Sequence, residues 1–372
     1  METRKEAYPE GFRVLVSATG TPLMPTTHRR ANRLITRGRA LRRFDRGLFY
    51  IKLLDRTDGY TQPMAIGIDP GSKREALVVQ SRAHTLLNVQ TEAVTWVSQA
   101  VAGRRRARRL RRGRKTPHRR CRRNRLAGQK RLPPSTRARW GLKVRLVRWL
   151  ARYYPIGVIV IEDIKAKARP GQRRWNTSFS PLEVGKHWSY GQLEQVAPVH
   201  TVPGYVTKTL RDAAGLHKSG AKVSDRWDTH CVDAFVLATS AVGGARQPTS
   251  TQMLYVVPLQ FHRRQLHRFN RGKEGQRTPY GGTLSLGLKR GSWVTHPRYG
   301  LVFVGGTVHG RISLHSLETG KRLTQHARVE ECRVLCTACW RIRSGLKPGA
   351  GLRPIAGAPP RAEGRSLRDN RA

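Results

Sequence analysis

The sequence predicts an α/β core with a separate β-rich part, on three observations. Met64 to Val79, MAIGIDPGSKREALVV, reads as a buried strand ending in a carboxylate at Asp69. A tight turn follows at Pro70-Gly71-Ser72, then a second apolar run from Ala76 to Val79. Two β-rich runs joined by a short Gly-containing segment suggest a hairpin. Ile156 to Ile161, IGVIVI, is a continuous apolar run ending in Glu162-Asp163. Such runs are typical of strands covered on both faces. After Gly243-Gly244 the pattern changes to short strand-like runs separated by turn residues.

The chain has 372 residues, enough for two or three modest domains or one large core with insertions. Hydrophobic residues make up 38%, which is sufficient for real cores. Lys and Arg number 72 against 23 acids, a formal net charge of +49. Self-repulsion on that scale calls for a polyanion, and nucleic acid is the default partner. An anionic membrane surface is the competitor, but no apolar run approaches the ~18 residues of a spanning helix. METRKEAYPEG lacks the apolar centre of a signal peptide, so a cytoplasmic location is expected. Five cysteines in a reducing compartment imply no disulfide framework.

Taken in order, residues 1–56 form a first α+β unit. Phe12 to Val16 looks like a strand, and GTPLMP (Gly20 to Pro25) is extended and proline-bounded. A basic helix is expected next, with Arg29, Arg30, Arg33, Arg37, Arg39, Arg42 and Arg43 around Ala31, Leu34, Ile35 and Leu41. Phe49 to Leu54 reads as another strand. Residues 57–95 carry the Asp69 hairpin and a third strand near Leu86 to Val89. No acid then occurs between Glu92 and Glu162, and fourteen of the residues from Arg104 to Arg125 are Arg or Lys. Like charges at i,i+4 repel, so this run is disordered or wrapped against phosphates. Guanidinium forks bond phosphate bidentately and stack on bases, which suits structured RNA. The nucleic-acid contacts are assigned to Arg104, Arg105, Arg108, Arg109, Arg111, Arg112, Arg114, Arg119, Arg120, Arg122 and Arg123. One arginine helix is expected from Val97 to Lys115, broken near Pro117, with a second basic segment after it.

Ser135 is the expected cap of a helix with the stripe Trp140, Val144, Val147 and Tyr154, stopped by Pro155. Residues 164–222 read as loop and short elements. Ser224 or Asp225 is expected to cap a helix, SDRWDTHCVDAFVLATSAV, whose Ala234, Phe235 and Ala238 face inward. His230 and Asp233 are i,i+3 and share one helix surface. An Asp among apolar residues is costly to bury unpaired. Met253 to Val257 is a strand, and Phe261 to Lys273 a short basic helix or loop. Strands are expected near Trp293 to His296, Leu301 to Val304, Arg311 to Leu317 and Val329 to Leu335, as a small barrel or sandwich. Residues from about 345 are Gly/Pro/Arg-rich and expected to be disordered.

Two strand-end acids and a helical H-x-x-D supply three carboxylates from separate parts of the chain. Two Mg²⁺ ions flanking a scissile phosphate need such hard anionic oxygens, with Mn²⁺ as a possible substitute. Order and setting resemble the RuvC-type, ribonuclease H-like nucleases. The resemblance extends to the transposon-encoded IscB and IsrB proteins. PLMP (Pro22 to Pro25) resembles their N-terminal signature, and IGIDPGSK their first RuvC segment. The arginine run resembles their bridge helix, and VIVIED and HCVDA (His230 to Ala234) their second and third RuvC segments. KRGSWVTHPRYG…GRISLHSLETGKRL resembles their adjacent-motif-reading domain, and the whole covers roughly residues 10–345.

That resemblance implies a split RuvC core with an arginine-rich bridge helix, a small N-terminal PLMP domain and a C-terminal β-barrel-like domain. The implied divisions are a PLMP domain at 1–56, RuvC segment I at 57–95 and the bridge at 96–130. RuvC segments II and III fall at 131–245, the β-rich domain at 250–345 and a tail at 346–372. The implied catalytic and metal-binding set is Asp69, Glu162, His230 and Asp233. IscB carries an HNH nuclease between its second and third RuvC segments. Residues 163–229 hold His187, His200 and His217 but no paired His…Asn…His pattern, which resembles the HNH-lacking IsrB branch. The implied activity is nicking of one strand of double-stranded DNA by a monomer in complex with an omega guide RNA.

Two other readings compete. An unguided RuvC-like resolvase explains the carboxylates but not PLMP, the arginine run or the C-terminal β part. A structural RNA-binding protein explains the charge but needs no acids at strand ends. Cys332, Cys336 and Cys339 form C-x₃-C-x₂-C; a zinc site there needs a fourth ligand, with His326 the nearby candidate, and buried free thiols are the favoured reading.

Overall fold

The computed structural model describes residues 12–113, 132–165, 181–221, 223–260, 269–270, 275–276 and 284–343. It is a mixed α/β fold. The first unit comprises β1 (Phe12–Val16), β2 (Pro22–Thr27), α1 (His28–Thr36), β3 (Ala40–Asp45) and β4 (Leu48–Leu53), with sheet order β2-β1-β4-β3. The Thr27 side chain caps α1 by accepting from the Arg30 N–H at 3.4 Å. Leu23, Ala31, Ala40, Ile51 and Leu53 form the core between helix and sheet. The basic helix is shorter than expected. Gly38 takes φ +69°, a left-handed conformation that ends α1, and Arg39 to Arg43 turn into β3 against β4.

Seven strands make the central sheet, in the order β20-β10-β7-β6-β5-β8-β9. Its middle is the hairpin of β5 (Met64–Asp69) and β6 (Arg74–Ser81), extended antiparallel by β7 (Thr85–Glu92). The arginine-rich α2 (Trp96–Gly113) follows, then α3 (Pro134–Leu150) and β8 (Ile156–Asp163), which lies parallel beside β5. Every residue of β5 and β6 is buried, as the apolar runs require. Met64, Ile66, Ile68, Leu77 and Val79 join one core with Leu142, Leu146 and Leu150 of α3.

α3 starts at Pro134, with Pro133 at the cap position and no side-chain cap, so Ser135 lies inside the helix. Proline suits the first helical turn because its missing N–H would be unpaired there anyway. α3 stops at Leu150, so Tyr154 packs from the following turn instead of from the helical stripe.

The segment expected as loop and short elements holds α4 (Pro181–Leu193), β9 (Val199–Pro203) and α5 (Gly204–Ala213). α4 is held by tertiary contacts: Trp140 meets Tyr190 edge-on at 6.5 Å, and Arg137 lies 6.0 Å from the Trp188 ring. Local sequence did not announce a helix that neighbours stabilise. α6 (Trp227–Val242) begins after Arg226, which gives no side-chain cap. Asp225, expected as a cap, pairs instead with Arg74 and Arg343.

β10 (Met253–Pro258) does not belong to the C-terminal sheet. It pairs in parallel with β7 and so extends the central sheet, across the expected division at 250. Two short ladders follow, β11 (Phe269–Asn270) with β12 (Gly275–Gln276) and β13 (Leu284–Ser285) with β14 (Leu288–Lys289). β15 (Ser292–His296), β16 (Gly300–Val308), β17 (Arg311–Ser316), β18 (Arg322–Ala327) and β19 (Arg333–Thr337) form an antiparallel sheet, order β18-β17-β16-β15-β19. Among the described residues its pairings are those of an open sheet and not of a closed barrel. β18, RLTQHA, has no apolar run and escaped the sequence reading. β20 (Trp340–Ile342) returns to pair with β10. Trp293 and Trp340, both fully buried, join this sheet to the first unit; the Trp340 indole donates to the Arg46 carbonyl at 3.1 Å. The second basic segment after residue 113 and the tail from 345 lie outside the described residues, as does the element expected over Phe261–Lys273 apart from Phe269–Asn270, which is the short strand β11.

Candidate active site

Strand parity decides where the acids point. Side chains alternate across a strand. On β5, Ile66 and Ile68 face α3, so Ala65, Gly67 and Asp69 face the opposite side. On β6, Ala76 and Val78 face that side too, packed with Cys231, Ala234 and Phe235 of α6. On β8, Ile159 and Ile161 join the α3 core, which turns Val160 and Glu162 toward α6. The β5–β8 register pairs Ile68 with Ile161, so Asp69 and Glu162 end adjacent strands side by side. Gly67 lets α6 approach: a Cβ there would lie 1.8 Å from the Ala234 carbonyl oxygen. That close seat brings His230 and Asp233 to the two strand ends.

Asp69, Glu162 and Asp233 each offer a carboxylate oxygen within 4.8 Å of the others. Among the described residues this is the one such cluster of metal-ligating side chains. Asp69 and Asp233 are 6% and 2% exposed, and Glu162 is half-buried. His230 Nδ1 lies 2.8 Å from Asp69 Oδ2. The four residues implied by the sequence therefore meet in one place. Burial first, then the Asp69 and Asp233 charges, push Glu162 up to about 7, opposed by the Lys218 ammonium. Three hard oxygen donors and a neighbouring imidazole fit a divalent cation.

Three basic groups that the sequence reading missed surround the cluster. Arg211, on α5, donates to Asp233 Oδ1. Lys218 donates to Asp233 Oδ2, and its Nζ is also 4.0 Å from Asp69 Oδ2. Burial alone would lower the Lys218 ammonium, but Asp69, Asp233 and Glu162 outweigh it and raise it. Arg139 of α3 donates to the Gly71 carbonyl in the hairpin turn at 3.3 Å. Behind that turn, Lys143 and Glu75 form a fully buried ion pair at 2.6 Å. Burial pushes Glu75 up and Lys143 down against their mutual attraction. No sequence spacing links these basic residues to the acids, because they arrive from α3, from α5 and from the connection after α5, elements that carry none of the three acids.

Arg104, Arg105, Arg108 and Arg109 are exposed along α2. The side chains of Arg111 and Arg112, and all of Arg114, Arg119, Arg120, Arg122 and Arg123, lie outside the described residues. The C-terminal cysteines serve separate contacts: Cys332 Sγ lies 3.4 Å from the Arg328 carbonyl, and Cys336 Sγ accepts from the Arg46 N–H at 3.3 Å. With Cys339 and His326 they form no metal-ligating cluster among the described residues.

No helix among the described residues is long and apolar enough to cross a membrane. Comparison with curated proteins gives no match. Among solved structures, T. thermophilus RuvC in complex with Holliday junction substrate aligns at 13% identity, covering 50% of this chain and 98% of that one, with a TM-score of 0.28. A second Thermus thermophilus RuvC structure aligns at 13% identity over 49% of this chain and 98% of that one, with a TM-score of 0.26. Residues 14–173, under half of the chain, match the profile of a family described as RRXRR protein, and that span includes Arg105-Arg106-Ala107-Arg108-Arg109.

Proposed function

We propose that this protein is an omega-RNA-guided DNA endonuclease of the IsrB type, which nicks the displaced strand of its target at the Asp69–Glu162–Asp233 site. The observation that carries a nuclease is the convergence of these three carboxylates, with His230, at the ends of two neighbouring strands and on one helix. The strand order β7-β6-β5-β8-β9, antiparallel through β5 and then parallel, supports the ribonuclease H-like reading. Asp69, Glu162 and Asp233 hold Mg²⁺, or Mn²⁺ in its place. Bound there, such ions polarise the scissile phosphate and acidify the attacking water. His230, held by Asp69, stands within reach of the same site for ligation or proton transfer. Guidance by RNA rests on the PLMP, arginine-run and C-terminal resemblances and on the +49 charge. In such a complex base pairing reads the sequence, and the protein reads a short flanking motif and duplex shape.

One carboxylate site cuts one strand. The guide-paired strand is held as heteroduplex, whereas the displaced strand is flexible enough to thread to Asp69. The test labels each strand of a target duplex separately and incubates it with protein, guide RNA and Mg²⁺. Nicks confined to the displaced strand are expected, with supercoiled plasmid converted to open circle. Efficient cutting of the guide-paired strand refutes the proposal, and cutting without RNA turns it into an unguided nuclease.

A further inference from the structure

Asp233 is almost wholly buried, yet both its carboxylate oxygens already have cationic partners. Arg211 holds Oδ1 and Lys218 holds Oδ2. The two cations differ in freedom. Arg211 sits on α5 with its side chain 14% exposed. Lys218 sits in the connection between α5 and α6 with its side chain 33% exposed. The Lys218 ammonium is also 4.0 Å from Asp69 Oδ2, so one positive charge neighbours carboxylate oxygens of both residues. A cation bridging Asp69 and Asp233 would need that same position. Three carboxylates this close cannot stay ionised in a buried site without positive charge among them.

We propose that Lys218 is the resident counter-ion of the Asp69–Glu162–Asp233 cluster in the metal-free protein, and that a divalent cation binds there only by displacing its ammonium. This rests on the reading of the cluster as a divalent-cation site. Arg211 stays in place and holds Asp233 by Oδ1, which keeps Oδ2 turned into the cluster; it is a positioning residue. Lys218 swings out on its flexible stem toward solvent. The arrangement keeps the metal-free cluster neutralised and sets a threshold of metal that must be exceeded before it fills. A structural lysine would behave differently, because removing it would loosen the cluster and weaken metal binding.

The test is a Mn²⁺ titration of the full-length chain, freed of metal with EDTA, followed by electron paramagnetic resonance of free Mn²⁺. Lys218→Met keeps the aliphatic stem and removes the charge. It should tighten Mn²⁺ binding on the order of tenfold, the direction expected when a competing charge at contact distance is removed. Lys218→Arg should stay within about twofold of wild type, a margin well under one charge pair. Unchanged or weaker binding by Lys218→Met overturns the proposal. A second measurement needs no variant: amine labelling of wild-type Lys218, read by mass spectrometry, should rise when Mn²⁺ is added. Labelling that stays level or falls overturns the proposal as well. Asp233→Asn separates the two layers of the argument. If wild type shows no Mn²⁺ binding that Asp233→Asn removes, the metal site itself is refuted.

Discussion

Gly67→Ala tests the seat on which the whole site depends. The added Cβ would lie 1.8 Å from the Ala234 carbonyl oxygen and 2.8 Å from the Ala238 nitrogen. Ordinary carbon–oxygen contacts are about 3.3 Å, so α6 must retreat by roughly 1.5 Å. The obstacle is backbone of the helix and not a side chain that can turn away. Overpacking of this kind costs about 1–3 kcal/mol, a fall in Tm of several degrees. The same retreat carries His230 and Asp233 away from Asp69 and Glu162. Metal sites tolerate about ±0.2 Å, and misplacement by about 1 Å costs on the order of 10²-fold in rate. On the proposed function, Gly67→Ala should therefore melt earlier and nick about a hundredfold more slowly, while the RNA binding proposed for the exposed arginines of α2 should persist. Thermal melts, single-turnover nicking and filter binding on one preparation read all three. A variant that nicks and melts like wild type would show that α6 does not rest on β5 at Gly67.

Asp69→Ala, Glu162→Ala or Asp233→Ala should abolish cleavage and spare RNA and target binding, with His230→Ala milder; nicking by all three acid variants would mean the site is misplaced. Replacing Arg108, Arg109, Arg111 and Arg112 by Ala should lower the salt slope of RNA binding by up to about one unit per lost phosphate contact, and an unchanged slope would remove this run from the interface. Glu162, raised from 4.5 to about 7, binds a proton in the folded chain that the unfolded chain has lost. Stability of the metal-free protein should thus fall as pH rises through that window, and melts in EDTA should show Glu162→Gln flattening the dependence. Lys143→Met leaves Glu75 buried without its partner and should cost about 3–5 kcal/mol in urea unfolding. Adding Glu75→Leu should recover most of that loss, and equal losses in single and double variants would show the pair to be irrelevant.

The elements most legible in the sequence were those whose burial leaves a pattern. IGIDPGS and IGVIVIED announced buried strands ending in acids because strands covered on both faces read as unbroken apolar runs. HCVDA announced a helix carrying two polar groups on one surface. The same local reading failed where neighbours, and not the chain itself, stabilise an element. α4 forms against Trp140 of α3, and polar β18 forms because β17 supplies its ladder. α1 ended early because a single residue, Gly38, adopts a left-handed turn that helical periodicity does not register.

By itself the sequence determined the chemistry available: hard acids in three places, a histidine one turn from the last, and a great excess of arginine. Tertiary structure alone decided which groups meet. Parity on β5 and β8 and the bare Cα of Gly67 set Asp69, Glu162 and Asp233 within 4.8 Å. It also brought Arg211 and Lys218 onto Asp233, an association with no signature in spacing. The physical reason is that periodicity reports which face of one element is buried, whereas a site made across elements depends on register and on how closely backbones approach.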